Sequence, residues 1–282
     1  MNVPRSAPVV VGVDGTESAR RAVRLAAAEA VLRNRPLRVV HAHIWPVLRV
    51  APGRPQDGPL DGGLRRRAEA VVEGALAEVA RSSPKLAVSG EVVDGASPAV
   101  LLRESRTSAL LVVGHRGLRA LSGVLVGSVA VQVSAQAHCP VLVTLGDRER
   151  DAGPVVVGVD GTHVSERAIG FAFEEAALRQ TSLVAVHAAN GGAATGRRSE
   201  HAVDEWLAAG RERFPQVPVT CQVIRGRAAR VLIDESARAQ LVVTGALGRG
   251  GLTGLVRGSV SQAVLRDSHC PLAIVRREQS AG

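Results

Sequence analysis

Short apolar runs alternate with longer amphipathic stretches along the whole chain. Val9 to Val13 is an uninterrupted apolar run dominated by valine, the signature of a strand buried on both faces of a parallel sheet. Glu17 to Arg33 follows with helical periodicity, placing Ala22, Val23, Ala26, Ala30 and Val31 on one side and arginines on the other. The same reading predicts strands at Leu37 to Ala42, Leu86 to Val93, Leu110 to Gly114 and Val141 to Thr144. Helices are predicted between them at Leu64 to Arg81, about Pro98 to Arg106 and Val129 to Ala137. From Val155 onward the order repeats. Strands are predicted at Val155 to Val159, Leu183 to His187, Val217 to Ile224, Leu241 to Gly245 and Leu272 to Val275. Helices are predicted at Ser165 to Arg179, His201 to Arg213, Ala229 to Ala237 and Val260 to Leu265. Strand–helix alternation with right-handed crossovers gives an α/β fold: two doubly wound, parallel, five-stranded Rossmann-like sandwiches in tandem.

The repetition is literal in places. Val9-Val10-Val11-Gly12-Val13-Asp14-Gly15-Thr16 recurs letter for letter as Val155-Val156-Val157-Gly158-Val159-Asp160-Gly161-Thr162, and His138-Cys139-Pro140 recurs as His269-Cys270-Pro271. The second offset is shorter by 15 residues, and the difference falls at Pro46 to Leu60, a Pro/Gly-rich stretch with no counterpart after Asn190. A repeat of this length is a whole domain rather than a solenoid unit. The expected domains are residues 1–146 and 151–282, joined by a short charged linker within Thr144 to Gly153. At 282 residues, each half is long enough to close its own core.

The chemistry sits in a second repeated grammar. Gly114-x2-Gly117-x9-Gly127-Ser128 recurs with identical spacing as Gly245-x2-Gly248-x9-Gly258-Ser259, each copy between an apolar run and a short helical pattern. A strand ending in glycine, a loop ending in Gly-Ser and then a helix can set backbone N–H groups around a phosphate chain. In doubly wound sheets, ligands lie beyond the carboxyl ends of the strands where strand order reverses. Asp14, Val40–His41 and Gly114 all stand at predicted strand ends and are expected to converge on one crevice.

These residues resemble the universal stress protein family in its tandem two-domain form: the Val-x-Val-Asp-Gly opening, the glycine loop and the closing Cys-Pro strand all match, over nearly the whole chain. The resemblance implies ATP binding, one site per domain. It implies that the aspartate closing strand one lies by the adenosine, that the residue ending strand two meets adenine through its backbone, and that the glycine loop holds ribose and phosphates. Carried onto this chain, the first set is Asp14, Val40, Gly114, Gly117, Gly127 and Ser128; the second is Asp160, Val186, Gly245, Gly248, Gly258 and Ser259. Gly12, Val113, His115, Arg116, Arg119 and Val129, and Gly158, Thr244, Leu247, Arg249 and Val260, complete the candidate sites. A magnesium or manganese ion would accompany ATP, held by phosphate oxygens more than by protein.

The residues carry their own physics. Gly127 and Gly258 lack a Cβ, so the chain can turn left-handed there and bring its backbone against an anion. Ser128 and Ser259 sit where an N-cap belongs, their hydroxyls available to the helix or to a phosphate oxygen. Arg116 and Arg119 supply positive charge in the first site. The second has Leu247 in place of Arg116, so Arg249 and Arg257 must serve, and Ala19 stands opposite Ser165. Asp14 and Asp160 also suit a plain Asp-Gly turn, and Gly114 and Gly245 suit tight strand-to-loop packing. His41, His43 and His187 show no metal-ligand spacing and are expected as satisfied core or crevice histidines. His138 and His269 are expected to end the last helix of each repeat.

Composition narrows the classes. Three cysteines, two at equivalent repeat positions, make no disulfide framework, and Cys139 and Cys270 are expected as buried thiols. No apolar run spans a bilayer, the first strand follows the N-terminus too closely for a signal peptide, and a cytoplasmic protein is expected. Of the net charge of +9, +7 lies before Asp151, and every basic residue except Lys85 is arginine. With 2% aromatics and no tyrosine, base-stacking platforms for nucleic acid are missing; a solvated basic surface is expected instead. No P-loop lysine, Gly-x-Ser-x-Gly elbow or Ser/His/Asp set is present. The expectation is an ATP-binding regulatory protein of the stress or dormancy response, acting on a protein partner. A weak ATPase or phosphotransfer enzyme and a nucleotide-free interaction module stand as alternatives. The strands Val141 to Thr144 and Leu272 to Val275 are expected to pair edge to edge, making an intramolecular pseudo-dimer that can itself form a homodimer.

Overall fold

The computed structural model describes residues 4, 6–43, 60–115, 127–145, 152–189, 197–246 and 260–276. The chain divides into two compact units, residues 1–114 and 115–282. The first contains β1 (Val9–Gly12), α1 (Glu17–Leu32), β2 (Leu37–His43), α2 (Leu60–Ser82), β3 (Val88–Asp94), α3 (Ser97–Glu104) and β4 (Leu110–Gly114). Its strands are parallel in the order β3-β2-β1-β4. Chain order therefore reverses between β1 and β4, which opens the crevice at their carboxyl ends.

Residue parity explains the layers. Gly12, Val40 and Val113 are in register and face one way; a Cβ added at Gly12 would meet Leu101 of α3 at 3.0 Å. The neighbouring positions face the other way: Gly90 of β3 lies under Val72 and Leu76 of α2, and Gly114 lies under Ser18 of α1. Helices α1 and α2 thus cover one face and α3 the other, so β1 and β4 are sealed on both sides. Val9, Val10, Val11, Leu110, Leu111 and Val112 are completely buried, each worth about 1.5–3 kcal/mol of apolar burial.

The second unit begins with α4 (Ser128–Gln136) and β5 (Val141–Thr144), then repeats the series as β6 (Val155–Gly158), α5 (His163–Leu178), β7 (Leu183–Ala189), α6 (Arg197–Arg213), β8 (Val219–Arg225), α7 (Ala228–Ser236), β9 (Leu241–Gly245), α8 (Val260–Asp267) and β10 (Leu272–Val275). Strand order is β5-β10-β9-β6-β7-β8, with every pairing parallel except β5 on β10. The edge-to-edge pairing expected from the sequence is present and antiparallel. Its register centres on Leu142↔Ala273, two equivalent repeat positions, so each strand presents the other with its own pattern.

Element boundaries differ from the sequence expectations for local reasons. Helix α2 starts at Leu60 and includes Gly62 and Gly63, residues that cost a helix about 1 kcal/mol each relative to alanine and read as loop. Strands β3 and β8 start two residues late, because Leu86 and Val217 donate backwards to Ser83 and Phe214 in turns. Val31, expected on the buried face of α1, is 56% exposed; the last inward positions are Glu29 and Ala30 instead. Glu29 is 2% exposed there and forms an ion pair with Arg33 of the next turn. The pair Glu175–Arg179 repeats this at the end of α5. Residues 44–59, which hold most of the Pro/Gly-rich stretch, lie outside the described residues.

Candidate functional site

The second unit holds strand ends, turn and following helices within one body, and its β6–α5 turn shows how the sequence builds the crevice. Beyond Gly158 the chain turns through Asp160 and Gly161, where φ is +74°, a backbone that favours glycine. Asp160 Oδ1 accepts from the Thr162 N–H at 3.0 Å and from the Thr162 hydroxyl at 2.7 Å. Thr162 then caps α5, its hydroxyl accepting from the Ser165 N–H at 3.3 Å. The Ser165 hydroxyl in turn accepts from the Asp160 N–H at 3.2 Å. The first unit repeats the arrangement: Gly15 has φ +80°, and Asp14 Oδ1 accepts from Thr16 N–H at 3.0 Å and Thr16 Oγ1 at 2.5 Å. Ala19 has no hydroxyl with which to receive the Asp14 N–H. The Asp-Gly turn role is therefore filled by both aspartates, with both bonds on the same carboxylate oxygen.

Histidines secure the neighbouring strand end. His41 Nδ1 lies 2.8 Å from Val13 O and His187 Nδ1 lies 2.9 Å from Val159 O. A carbonyl only accepts, so Nδ1 carries a proton in both rings. Both histidines are half-buried and bonded to backbone, as expected for crevice histidines. Among the described residues, no group of three or more His, Cys, Asp or Glu gathers as a metal site.

The backbone of β2 corrects one sequence expectation. Val9 N–H donates to Pro36 O and Val13 N–H to Val40 O, both at 2.9 Å, so even-numbered positions of β2 face β1. Leu37 N–H donates to Ala87 O and Gly95 N–H to His43 O, so odd positions face β3. The Val40 carbonyl, expected to be open for a base, is thus already taken by β1. Ala42 is the next residue facing that side, and it lies past Gly12, where β1 has ended. The second unit behaves identically: Val186 O accepts from Val159 N–H at 2.9 Å, while Leu183 and Ala189 bond to the β8 side. Ala188 is its counterpart of Ala42. The signal was available in the alternation of a parallel ladder.

Gly114 is held by packing, since a Cβ there would stand 2.8 Å from the carbonyl oxygen of Ser18. Gly127 departs from expectation: its φ is −54°, not left-handed, and any residue adopts it. It is also the N-cap of α4, without a side-chain bond, which makes Ser128 the first helical residue rather than the cap. What glycine contributes there is the missing side chain before the first free N–H groups of α4. Val113 and Thr244 are buried at the ends of β4 and β9, while His115, Val129 and Val260 are half-buried. The Thr244 hydroxyl is buried, and among the described residues it has no hydrogen-bond partner. Arg116, Gly117, Arg119, Leu247, Gly248, Arg249, Gly258 and Ser259 lie outside the described residues. His138 and His269 are exposed, two residues past the last helical residue, so neither sits in a terminal turn.

Cys139 and Cys270 are buried thiols. Cys221, half-buried on β8, donates to Asp204 Oδ1 at 3.3 Å and lies 3.4 Å from Arg211 Nη2. Burial pushes its thiol pKa up, Asp204 pushes it further, and Arg211 opposes only in part. A raised pKa means less thiolate at a given pH, the opposite of an activated nucleophile. Replacing Asp204 with asparagine is expected to speed iodoacetamide alkylation of Cys221 at pH 8; unchanged or slower alkylation, tracked by mass spectrometry, would contradict the assigned cause. The basic surface is partly neutralised as well. Arg65 faces Glu69 and Asp94 at 3.4 and 3.6 Å, and Arg24 reaches Glu78 at 3.0 Å.

The family comparison agrees with this architecture. The model of the universal stress protein family matches residues 6–144 and 152–276. The chain is similar to universal stress protein Rv2005c of Mycobacterium tuberculosis, with 37% identity covering 95% of this chain and 97% of the relative. It is also similar to universal stress protein Rv2623 of the same organism, with 35% identity covering 95% and 96%. A crystal structure of a universal stress protein from Archaeoglobus fulgidus superposes with a TM-score of 0.75 at 17% identity, covering 95% of this chain and 98% of that one, which shows the shared fold. The chain belongs to the universal stress protein family. Among the described residues, no helix is long and apolar enough to cross a membrane.

Proposed function

We propose that this protein binds ATP, one molecule per repeat, and that occupancy regulates its contact with a protein partner in the cytosol during stress or dormancy. The observation that carries this is the strand-end geometry of the second unit. Asp160 is fixed by the turn, the Ala188 backbone faces the crevice side beyond the end of β6, and Gly245 closes β9 ahead of the glycine loop. In this reading the Ala188 carbonyl accepts from the adenine amine, Asp160 lies by the ribose, and the loop from Gly245 to Ser259 holds the phosphates. The first repeat carries the same residues in the same order: Asp14, Ala42, Gly114, Gly127 and Ser128. Magnesium or manganese would ride on the phosphates, which requires no protein ligand set.

Ligand binding would favour the nucleotide-bound form, and a partner that prefers that form shifts the equilibrium by its differential affinity. The test is to denature freshly purified protein and identify and count the released nucleotide. An adenine nucleotide at one to two equivalents per chain is expected, and bulky replacements of Gly127 and Gly258 should empty the protein while leaving its circular dichroism unchanged. Nucleotide-free protein that also takes up no ATP in calorimetry would overturn the reading.

A further inference from the structure

The two Asp-Gly turns are equivalent in backbone but not in what lies over them. Above Gly15, the space a Cβ would occupy is bounded by Val71 of α2, with Cγ2 at 3.1 Å. Above Gly161 it is filled by the indole of Trp206 on α6, with Cε2 at 2.8 Å and Cη2 at 2.9 Å. The indole also meets the His187 ring edge-on, 5.7 Å between centroids at 65°. That histidine is the one bonded to Val159 O at the end of β6. Trp206 is therefore framed by the two features that border the crevice, and it remains only half-buried.

The indole is also held in place. Val203 and Leu207, on the same flank of α6, are completely buried. One turn further on, Gly210 lets α6 lie against the Phe173 ring of α5, which leaves no room there for a Cβ. A partly exposed indole on a packed helix, beside the strand end, offers a stacking surface for a flat ring. Among the described residues, only Val71 stands over Gly15, and a valine offers no plane.

We propose that Trp206 is a ligand-stacking residue of the second site alone, making that site selective for ligands with an aromatic base and unequal in affinity to the first. The proposal rests on the nucleotide reading above.

Equilibrium dialysis with radiolabelled ATP on the full chain tests it, alongside fluorescence in a W45F background, where Trp206 is the sole tryptophan. Wild-type protein is expected to show two classes of site, and W206V, which copies Val71, to weaken one class by roughly 5- to 150-fold while leaving the other unchanged. W206F keeps a flat ring and should stay within a few-fold of wild type, which separates stacking from a folding defect. ATP should quench Trp206 emission in step with filling of the tighter class. If dialysis shows ATP uptake but emission does not change and W206V retains both classes, the stacking role is wrong and the nucleotide reading stands. If W206V does not fold, W206F and the quench decide, and a W206F loss of roughly 5-fold or more, or an unchanged emission, overturns the proposal. If wild-type protein takes up no ATP, the nucleotide reading fails, and this proposal fails with it.

Discussion

Replacing Glu175 with alanine is expected to destabilise the second unit by about 3–5 kcal/mol, the cost of stripping the partner from a buried charge. Its side chain is 2% exposed and that of Arg179 12%, and the two form an ion pair across one turn at the end of α5. Both side chains are largely buried, so the attraction is screened little by salt, and removing the carboxylate takes the ionic partner from a guanidinium mostly out of water. The double variant E175A/R179A should be less damaging than E175A alone, because no desolvated charge is left behind. Urea unfolding read by circular dichroism would measure this, treating the two units as separate transitions. The equivalent variant E29A should move the other transition. Against the 5–15 kcal/mol typical of a domain, such a loss is a large fraction. A shift below about 1 kcal/mol would mean that the pair behaves like a surface salt bridge. Helix α5 begins at the crevice and ends at the opposite edge of the sheet, so ligand affinity should be untouched in protein that remains folded.

The same pair marks where sequence and structure part. The central strands were legible because Val9 to Val11 and Leu110 to Val112 are apolar at every position, a pattern that only burial on both faces permits. The crevice was legible because Asp14, Gly114 and their repeats fall at strand ends. Val31 was misplaced because α1 finishes on a glutamate–arginine pair, and an apolar stripe has no means of signalling a buried carboxylate. Val40 was carried over as the residue ending strand two, and a strand end read from sequence does not say which neighbour its carbonyl serves. Trp206 was invisible for another reason: it lies in the helix after the 15-residue difference between the repeats, where alignment by offset loses its footing. Only the structure shows it over Gly161 as Val71 stands over Gly15. The left-handed turn expected at Gly127 failed because a glycine before a helix serves either by positive φ or by small size, and composition alone does not separate the two.

Base selectivity follows from the corrected strand end. If the Ala42 and Ala188 carbonyls meet the base, they accept a hydrogen bond from the exocyclic amine of adenine, whereas guanine presents its own carbonyl at that position. Two acceptors would then face each other in a partly dehydrated crevice, leaving both unsatisfied at a cost of about 1–3 kcal/mol per site. GTP is therefore expected to bind roughly 5- to 150-fold more weakly than ATP in isothermal titration. ITP separates the causes, because it carries the same carbonyl without the 2-amino group of guanine. Binding of ITP as weak as that of GTP would assign the discrimination to the strand-end carbonyl; binding as tight as that of ATP would mean that Ala42 and Ala188 do not read the base. The discrimination should be equal at the two sites, because the ladder parity that aims the carbonyl is the same in both repeats. Affinity itself should differ between them, because Val71 and Trp206 do.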